Sequence, residues 1–540
     1  MKTFKALLLT VLFASFLGSK AQMTDKELST VENLNWPNLN WKEDKMLGAS
    51  VDLAYEKILQ NKKAKRTVIV AVLDNGIDFE HEDLAANIWI NSKEIPNNNI
   101  DDDQNGYVDD IYGWNFLGNS KGENISKEHF EYTRIYLEYL SLIEQGYLDS
   151  NNLEGKEAEV YKEAEKMYQE ELEKREEYLK STNNAISLMV NAKKLIKNTY
   201  GIDIESIDDL KKVNSAGNPD IRRAKAILFS IYDQGFTMEQ FQENKEFNEK
   251  YTLQYLNLDL NPREVVGDDP FDIENGGYGN PDVKGPNPDH GTACAGLIGA
   301  VRNNDIGING VAENVKIMCL RTTPDGDERD KDVALAILYA VDNGAHIINM
   351  SFGKQFSPQK EMVDLAIKYA EKKGVLVVHS SGNSAQDLRI DPAFPNETYL
   401  DGTNAKNMIT VGASSFKPNK RMIAVFSNYG KGIVDILGPG TDIMSLDTGN
   451  TYSEHSGTSF SGPIVSGVAA VVWAYYPDLS VEELISLLIT SSKTKRPKKV
   501  YPPNLSDEKM KKVKLEEICS DGGVVNLYEA LLSLEPQLED

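Results

Sequence analysis

A chain of 540 residues has room for two or three average domains, or for one large α/β domain carrying an insertion. Its 41% apolar and 26% charged residues are the balance of a soluble globular protein and exclude a low-complexity or disordered chain. A net charge of -25 argues against nucleic acid or an anionic membrane surface as partner, because both would repel it. The chain begins with Lys2 and Lys5, an apolar run over residues 6–17, and the small residues of Ser19-Lys20-Ala21. That pattern predicts a signal peptide, residues 1–21, cleaved after Ala21, so the protein is expected in the periplasm or outside the cell. The apolar run is shorter than the ~20 residues a spanning helix needs, so no membrane span is expected. No Cys follows the small residues to take a lipid. Residues 22–66 read as an N-terminal arm that packs through Trp36-Pro37 and Trp41. Three cysteines, Cys294, Cys319 and Cys519, are too few for a disulfide scaffold in an exported protein.

Residues 68–73, Val-Ile-Val-Ala-Val-Leu, are an unbroken β-rich run that suits a strand buried on both faces of a parallel sheet. Further on, Asp101-Asp102-Asp103-Gln104-Asn105-Gly106-Tyr107 sets oxygen ligands at alternating positions with glycine sixth, the first half of an EF-hand-type calcium loop. Asp101, Asp103, Asn105 and the Tyr107 carbonyl are the expected ligands. Position twelve is Tyr112 and not Glu, so Asp109 or Asp110 has to supply the last carboxylate. Residues 119–266 change texture. Leu153, Val160, Ala164, Met167, Leu172 and Leu179 recur at helical steps among Glu and Lys, and Ala185, Leu188, Ala192 and Leu195 suggest a second helix after a break at Thr182-Asn183-Asn184. This segment reads as a helical insertion: a substrate gate, a docking arm for a partner, or a passive decoration. A Gly/Pro/Asp/Asn-rich loop, residues 267–289, follows. Beyond it, short apolar runs at 315–320, 346–350, 375–379 and 408–411 alternate with helical spacing at 333–343 and 361–373. Strand-helix alternation predicts an α/β fold, a mostly parallel sheet flanked by helices, formed by residues 67–118 and 267–540.

Three motifs carry the chemistry. In Leu73-Asp74-Asn75-Gly76 a carboxylate ends the first strand, at the sheet edge where parallel folds collect functional groups. In Asp289-His290-Gly291-Thr292-Ala293-Cys294 an imidazole opens a helix of small residues, which let other backbone approach. In Ser456-Gly457-Thr458-Ser459-Phe460-Ser461-Gly462-Pro463 a serine stands at the start of an apolar helix, where free N–H groups can stabilise an oxyanion. Pro463 is expected in the first turn of that helix.

Together, in the order Asp, His, Ser, these motifs resemble the subtilase family. The resemblance covers most of the chain outside the insertion. It implies a subtilisin-like sheet fold and a serine endopeptidase with Ser459 as nucleophile, His290 as general base and then acid, and Asp74 holding the imidazole. It further implies Asn383, in Ser380-Ser381-Gly382-Asn383, as oxyanion donor. Ser381 and Gly382, with Ser351-Phe352-Gly353, are then expected to bind protein or peptide substrates as extended chains. Phe426-Ser427-Asn428-Tyr429-Gly430 and Leu437-Gly438-Pro439-Gly440 are also similar to the family. Asn75 departs from the usual Ser, Thr or Asp, and Phe460-Ser461 from Met-Ala. Cys294, four residues after His290, stands where some members carry a mercurial-sensitive thiol. Calcium would fix a loop, as in related bacterial members. Residues 22–66 are too short for a full inhibitory prodomain, and none is expected. The alternative from another class is a catalytically silent scaffold that binds partners through its insertion.

Overall fold

Strand β1 (Val68–Asp74) is buried almost throughout, as its run of branched apolar side chains demands. Six further strands join it: β2 (Gly113–Asn115), β3 (Val315–Arg321), β4 (Ile347–Met350), β5 (Leu376–Ser380), β6 (Met408–Ser414) and β7 (Ile436–Pro439). The spatial order is β2-β3-β1-β4-β5-β6-β7, and every pairing is parallel. From β1 the chain runs to β2 at the outer position, returns to β3 beside β1, and then crosses to β4 on the other side. The end of β1, with Asp74, therefore lies at the switch in strand order. The fold expected from the sequence is the fold found. The computed structural model describes residues 35–149, 155–274, 277–494, 497–505, 510–520 and 522–535. The expected signal peptide, residues 22–34 of the arm and Leu153 lie outside them. Of the described arm, Trp36 is buried with its indole N–H donating to the Asp442 carbonyl at 2.9 Å. Helix α1 (Val51–Ala54) follows and continues as a π-turn to Leu59.

The chain divides into two units, one formed by Tyr132–Leu260 and the other by the described residues of Lys20–Glu131 and Asn261–Asp540. The flanks expected in the insertion, 119–131 and 261–266, thus group with the sheet. Within the first unit run α2 (Glu131–Glu144), which begins at its border, α3 (Lys156–Tyr200), α4 (Ile207–Lys212), α5 (Pro219–Tyr232) and α6 (Met238–Tyr255). The break expected at Thr182-Asn183-Asn184 is absent, because α3 runs unbroken for 45 residues. Thr182 is buried there with its hydroxyl donating to Asn244 Oδ1 at 3.3 Å, and this contact overrides weak local helix propensity. Arg175, also on α3, reaches Asn248 Oδ1 at 3.0 Å and covers the Tyr251 ring. Met189, Ile196, Leu210, Ile221, Leu228 and Phe241 form a core proper to this unit. Gly201 ends α3 in the left-handed region, and Thr237 with Gln240 makes a capping box on α6.

The sheet carries helices on both faces. These are α7 (Asp289–Gly299), α8 (Asp330–Asp342), α9 (Lys360–Lys373), α10 (Thr458–Tyr475), α11 (Val481–Ser491) and α12 (Leu527–Leu534). Alternation along β1 divides its side chains between two core layers. Val68, Val70 and Val72 pack with α7 and α10, whereas Ala71 and Leu73 pack with α8 and α9. By length and composition α10 could cross a membrane, but 94% of it is buried inside the protein. It is the central core helix, and its N-terminus is aimed at the ends of β4 and β5. A hairpin of β8 (Ile443–Asp447) and β9 (Thr451–His455) packs on α7 through Leu446, which meets Gly296.

Candidate active site

Asp74 is 2% exposed at the end of β1. Thr322 and Thr323 both donate N–H to its carbonyl, at 2.9 and 3.1 Å, which fixes the strand end. Its Oδ1 accepts from His290 Nδ1 at 2.8 Å and from the Asn75 N–H at 2.8 Å. A carboxylate only accepts, so Nδ1 carries the proton and Nε2 is left as the base. Burial works to lower the His290 pKa, and the Asp74 carboxylate works to raise it. The balance holds it well above its ordinary value. The ring is 34% exposed. Two features explain why α7 meets β1 here. A side chain at Gly291 would lie 2.2 Å from the Gly76 carbonyl, so only glycine permits the approach. Asn75 uses both ends of its amide, donating to Asp289 Oδ1 at 3.0 Å and accepting from the Gly291 N–H at 3.0 Å. Aspartate could not make the first of these bonds.

Ser459 is the second residue of α10 and half-buried. Its hydroxyl donates to the Ser351 carbonyl at 3.1 Å, and the Ser351 hydroxyl donates back to the Ser459 carbonyl at 2.8 Å. Cys294 Sγ lies 3.4 Å from that carbonyl and 3.9 Å from His290 Nδ1. Pro463 corrects the sequence reading, because it stands inside the helix, past the first turn. An α-helix would take the residue 463 N–H to the residue 459 carbonyl. Proline has none, and this leaves the Ser459 carbonyl open to Ser351 and Cys294. Phe460 packs between His290 and His455, with ring centroids 5.4 and 4.7 Å away. Burial pushes the Cys294 thiol up, which keeps it protonated beside Ser459.

Asn383 is exposed at the turn after β5, and its Oδ1 accepts from the Thr458 N–H at 2.8 Å and hydroxyl at 3.0 Å. With Oδ1 held, Nδ2 points toward Gly457 and the start of α10. Gly382 has φ +98, and its N–H donates to Thr458 Oγ1. Ser381, expected at the substrate, is 2% exposed with its hydroxyl on the Asn428 carbonyl. Its side chain holds the turn. Asn428 lies in a motif to which the sequence assigns no role, yet it laces this whole turn. Its Oδ1 accepts from the Ser384 and Gln386 N–H groups, and its Nδ2 donates to the Ser381 carbonyl. Phe352 is half-buried, and its carbonyl accepts from His379 Nε2 at 2.8 Å. Gly353 follows with its Cα side toward the same imidazole.

A cleft of about 450 Å³ is lined by Asp74, His290, Ser351 and Phe352, and on its other side by Ser126 and residues 323–326. Its floor holds a residue the sequence did not signal, Arg321. This guanidinium, 2% exposed, donates to the Asn75 carbonyl, Asn115 Oδ1 and the Ile125 carbonyl. Burial lowers its pKa to about 10.

In the acidic loop, carboxylate oxygens of Glu94, Asp101 and Asp103 lie within 4.8 Å of one another. This all-oxygen donor set fits a calcium ion. Asp109 and Asp110, expected to supply the last carboxylate, lie outside this cluster and accept other hydrogen bonds. Asp109 accepts from the N–H groups of Asn98 and Asn99, and buried Asp110 accepts from Tyr339, Asn105 and Asn91. Glu94, from outside the motif, is the carboxylate that lies beside Asp101 and Asp103. Asn105 Oδ1 accepts from the Tyr107 N–H at 2.8 Å, and the Tyr107 ring packs on Trp114 and Tyr339.

The model of the family described as "Subtilase family" matches residues 65–510. A thermophilic serine proteinase of Bacillus sp. (strain AK1) is 35% identical over 221 residues, covering 41% of this chain and 49% of that protein. Subtilisin BL of Lederbergia lenta is 36% identical over 192 residues, covering 35% of this chain and 65% of that protein. The chain thus spans about half the length of the first of these relatives. Among solved structures, a protease of Pseudoalteromonas arctica PAMC 21717 matches with TM-score 0.39 and 23% identity, covering 48% of this chain and 80% of that one. With the family pattern matched across most of its length, this chain belongs to the subtilase family.

Proposed function

We propose that the protein is a secreted serine endopeptidase that cleaves peptide bonds in extended protein segments through an acyl-enzyme intermediate. The observation that carries this reading is the 2.8 Å bond from His290 Nδ1 to buried Asp74, beside the half-buried Ser459 at a helix start. Substrate entry displaces the Ser459 hydroxyl from the Ser351 carbonyl toward His290 Nε2, and that carbonyl then accepts a substrate N–H. His290 takes the Ser459 proton as Oγ attacks, and Asp74 stabilises the imidazolium. Negative charge forming on the carbonyl oxygen is met by Asn383 Nδ2 and by the Ser459 N–H at the positive end of α10. His290 then returns its proton to the leaving amine. Water repeats the sequence to release the acyl group.

The same reading includes a structural calcium ion held by Glu94, Asp101 and Asp103, with Asn105 and the Tyr107 carbonyl in the same turn. Bound there, calcium would neutralise clustered carboxylates and fix the loop. Export rests on the basic, apolar and small-residue pattern of residues 1–21. The silent-scaffold alternative has no observation in its favour, since Asp74, His290, Ser459 and Asn383 are all present. The test is hydrolysis of an unfolded protein by wild type and by Ser459→Ala and His290→Ala. The expected result is activity in the first and its loss in both variants. Undiminished hydrolysis by Ser459→Ala would refute the mechanism.

A further inference from the structure

Lys354 directly follows the Ser351-Phe352-Gly353 segment, and its side chain is only 1% exposed. Its Nζ donates to Glu131 Oε2 at 2.6 Å and to the Glu328 carbonyl at 2.8 Å, and pairs with Asp330 Oδ1 at 2.9 Å. Its main chain is also fixed, by reciprocal bonds with Phe394 at 2.9 and 2.8 Å. The side-chain partners come from two other stretches. Glu328 and Asp330 end the segment that leaves β3 and lines the far side of the cleft through residues 323–326. Glu131 ends the stem, residues 126–131, that leads into the helical insertion.

Stem and cleft wall are paired as well. The Asp325 N–H donates to the Ser126 carbonyl at 2.8 Å, the Glu128 N–H to the Asp325 carbonyl at 3.1 Å, and the Asp327 N–H to the His129 carbonyl at 3.2 Å. Both peptide groups of Asp325 are spent on the stem. The next residue, Gly326, lines the cleft. A side chain on Gly326, which has φ +144, would lie 2.2 Å from the Glu128 carbonyl. Wall and stem can approach this closely only with glycine there.

We infer that Lys354 is a positioning residue that sets the separation of the two backbone walls, residues 323–327 and 351–353, between which an extended substrate lies. Through Glu131 it ties that separation to the stem of the helical insertion. The inference rests on the endopeptidase reading. Its physical basis is that one buried ammonium faces two buried carboxylates and a carbonyl. Without it, Glu131 and Asp330 lose the ammonium that they share, and the walls part. A substrate held only at its scissile bond would not sense this. One that pairs along both walls would.

The test compares a small ester that occupies only the site next to the scissile bond with peptide amides lengthened stepwise on the acyl side. In wild type, kcat/KM should climb with length, because each added residue adds main-chain hydrogen bonds. Lys354→Met should lose about tenfold or more on the longest peptide, carried by KM, with ester turnover unchanged. Glu131→Gln should show a weaker form of the same pattern. If Lys354→Met does not fold, Glu131→Gln decides by the same criterion. A wild-type slope retained in the variants, or equal losses on ester and peptide, would overturn the role of Lys354. No climb in wild type would instead overturn the two-wall reading beneath it.

Discussion

Asp74 Oδ2 is buried with no hydrogen-bond partner among the described residues, while Oδ1 serves both His290 and the Asn75 N–H. The carboxylate charge is therefore little dispersed, which accounts for the raised His290 pKa. Catalysis needs the neutral imidazole, so activity should fall as pH drops through that raised value. Asp74→Asn should move this acid limb to lower pH and cut kcat by about 10⁴. A pH–rate profile unchanged in position would count against the pairing. Asn383→Ala should cost about 10²–10³ in kcat with KM little changed, as loss of one oxyanion donor does. Asp74, His290, Ser459 and Asn383 were legible as candidates because each sits in a short, distinctive motif. Arg321, Asn428 and Lys354 were not, because each acts through partners tens or hundreds of residues away. Arg321 meets Asn115 and Ile125 only because the sheet pairs β2 with β3.

The alternation of strands and helices was readable because buried parallel strands are continuous apolar runs. Strand β2 was missed, since Gly113-Trp114-Asn115 is too short to show periodicity and owes its place to pairing with β3. The continuity of α3 was missed because Asn244, on another helix, holds Thr182. Pro463 was misplaced for a different reason: its value lies in the hydrogen bond it withholds. Pro463→Ala supplies an N–H that competes with Ser351 for the Ser459 carbonyl. It should lower kcat several-fold while the melting temperature holds or rises. A fall in melting temperature with kcat intact would contradict that account. The acidic loop shows the same limit of local reading. The alternating Asp101, Asp103 and Asn105 were visible, but Glu94 joins them only in three dimensions. Chelator should lower the melting temperature of wild type, and Glu94→Gln should remove most of that shift. Equal shifts in both proteins would place calcium elsewhere.

Across the whole molecule, buried His379 and half-buried His346 both contribute to the acid side of the stability profile. His379 and His346 both have pKa values lowered to about 4, chiefly by burial, and the Ile69 N–H donates to His346 Nδ1. Unfolded, each would bind a proton near 6.5. Between 6.5 and about 4 the unfolded chain holds more protons, so stability is full above that window and is lost as pH falls through it. His379→Gln keeps a donor for the Phe352 carbonyl without the titration, and it should flatten the slope of unfolding free energy against pH. An unchanged slope would exclude His379 as a contributor. No disulfide supports the fold, since Cys294, Cys319 and Cys519 are buried and none is disulfide-bonded. Stability comes from the two core layers around the sheet, and those layers also hold the strand end that carries Asp74 and the helix start that carries Ser459. The most direct measurement of that arrangement is mass mapping after reaction with a fluorophosphonate. The expected result is one adduct, on Ser459, that is absent from Ser459→Ala and strongly slowed in His290→Ala. No adduct on Ser459, or equal labelling of Ser459→Ala, would contradict it.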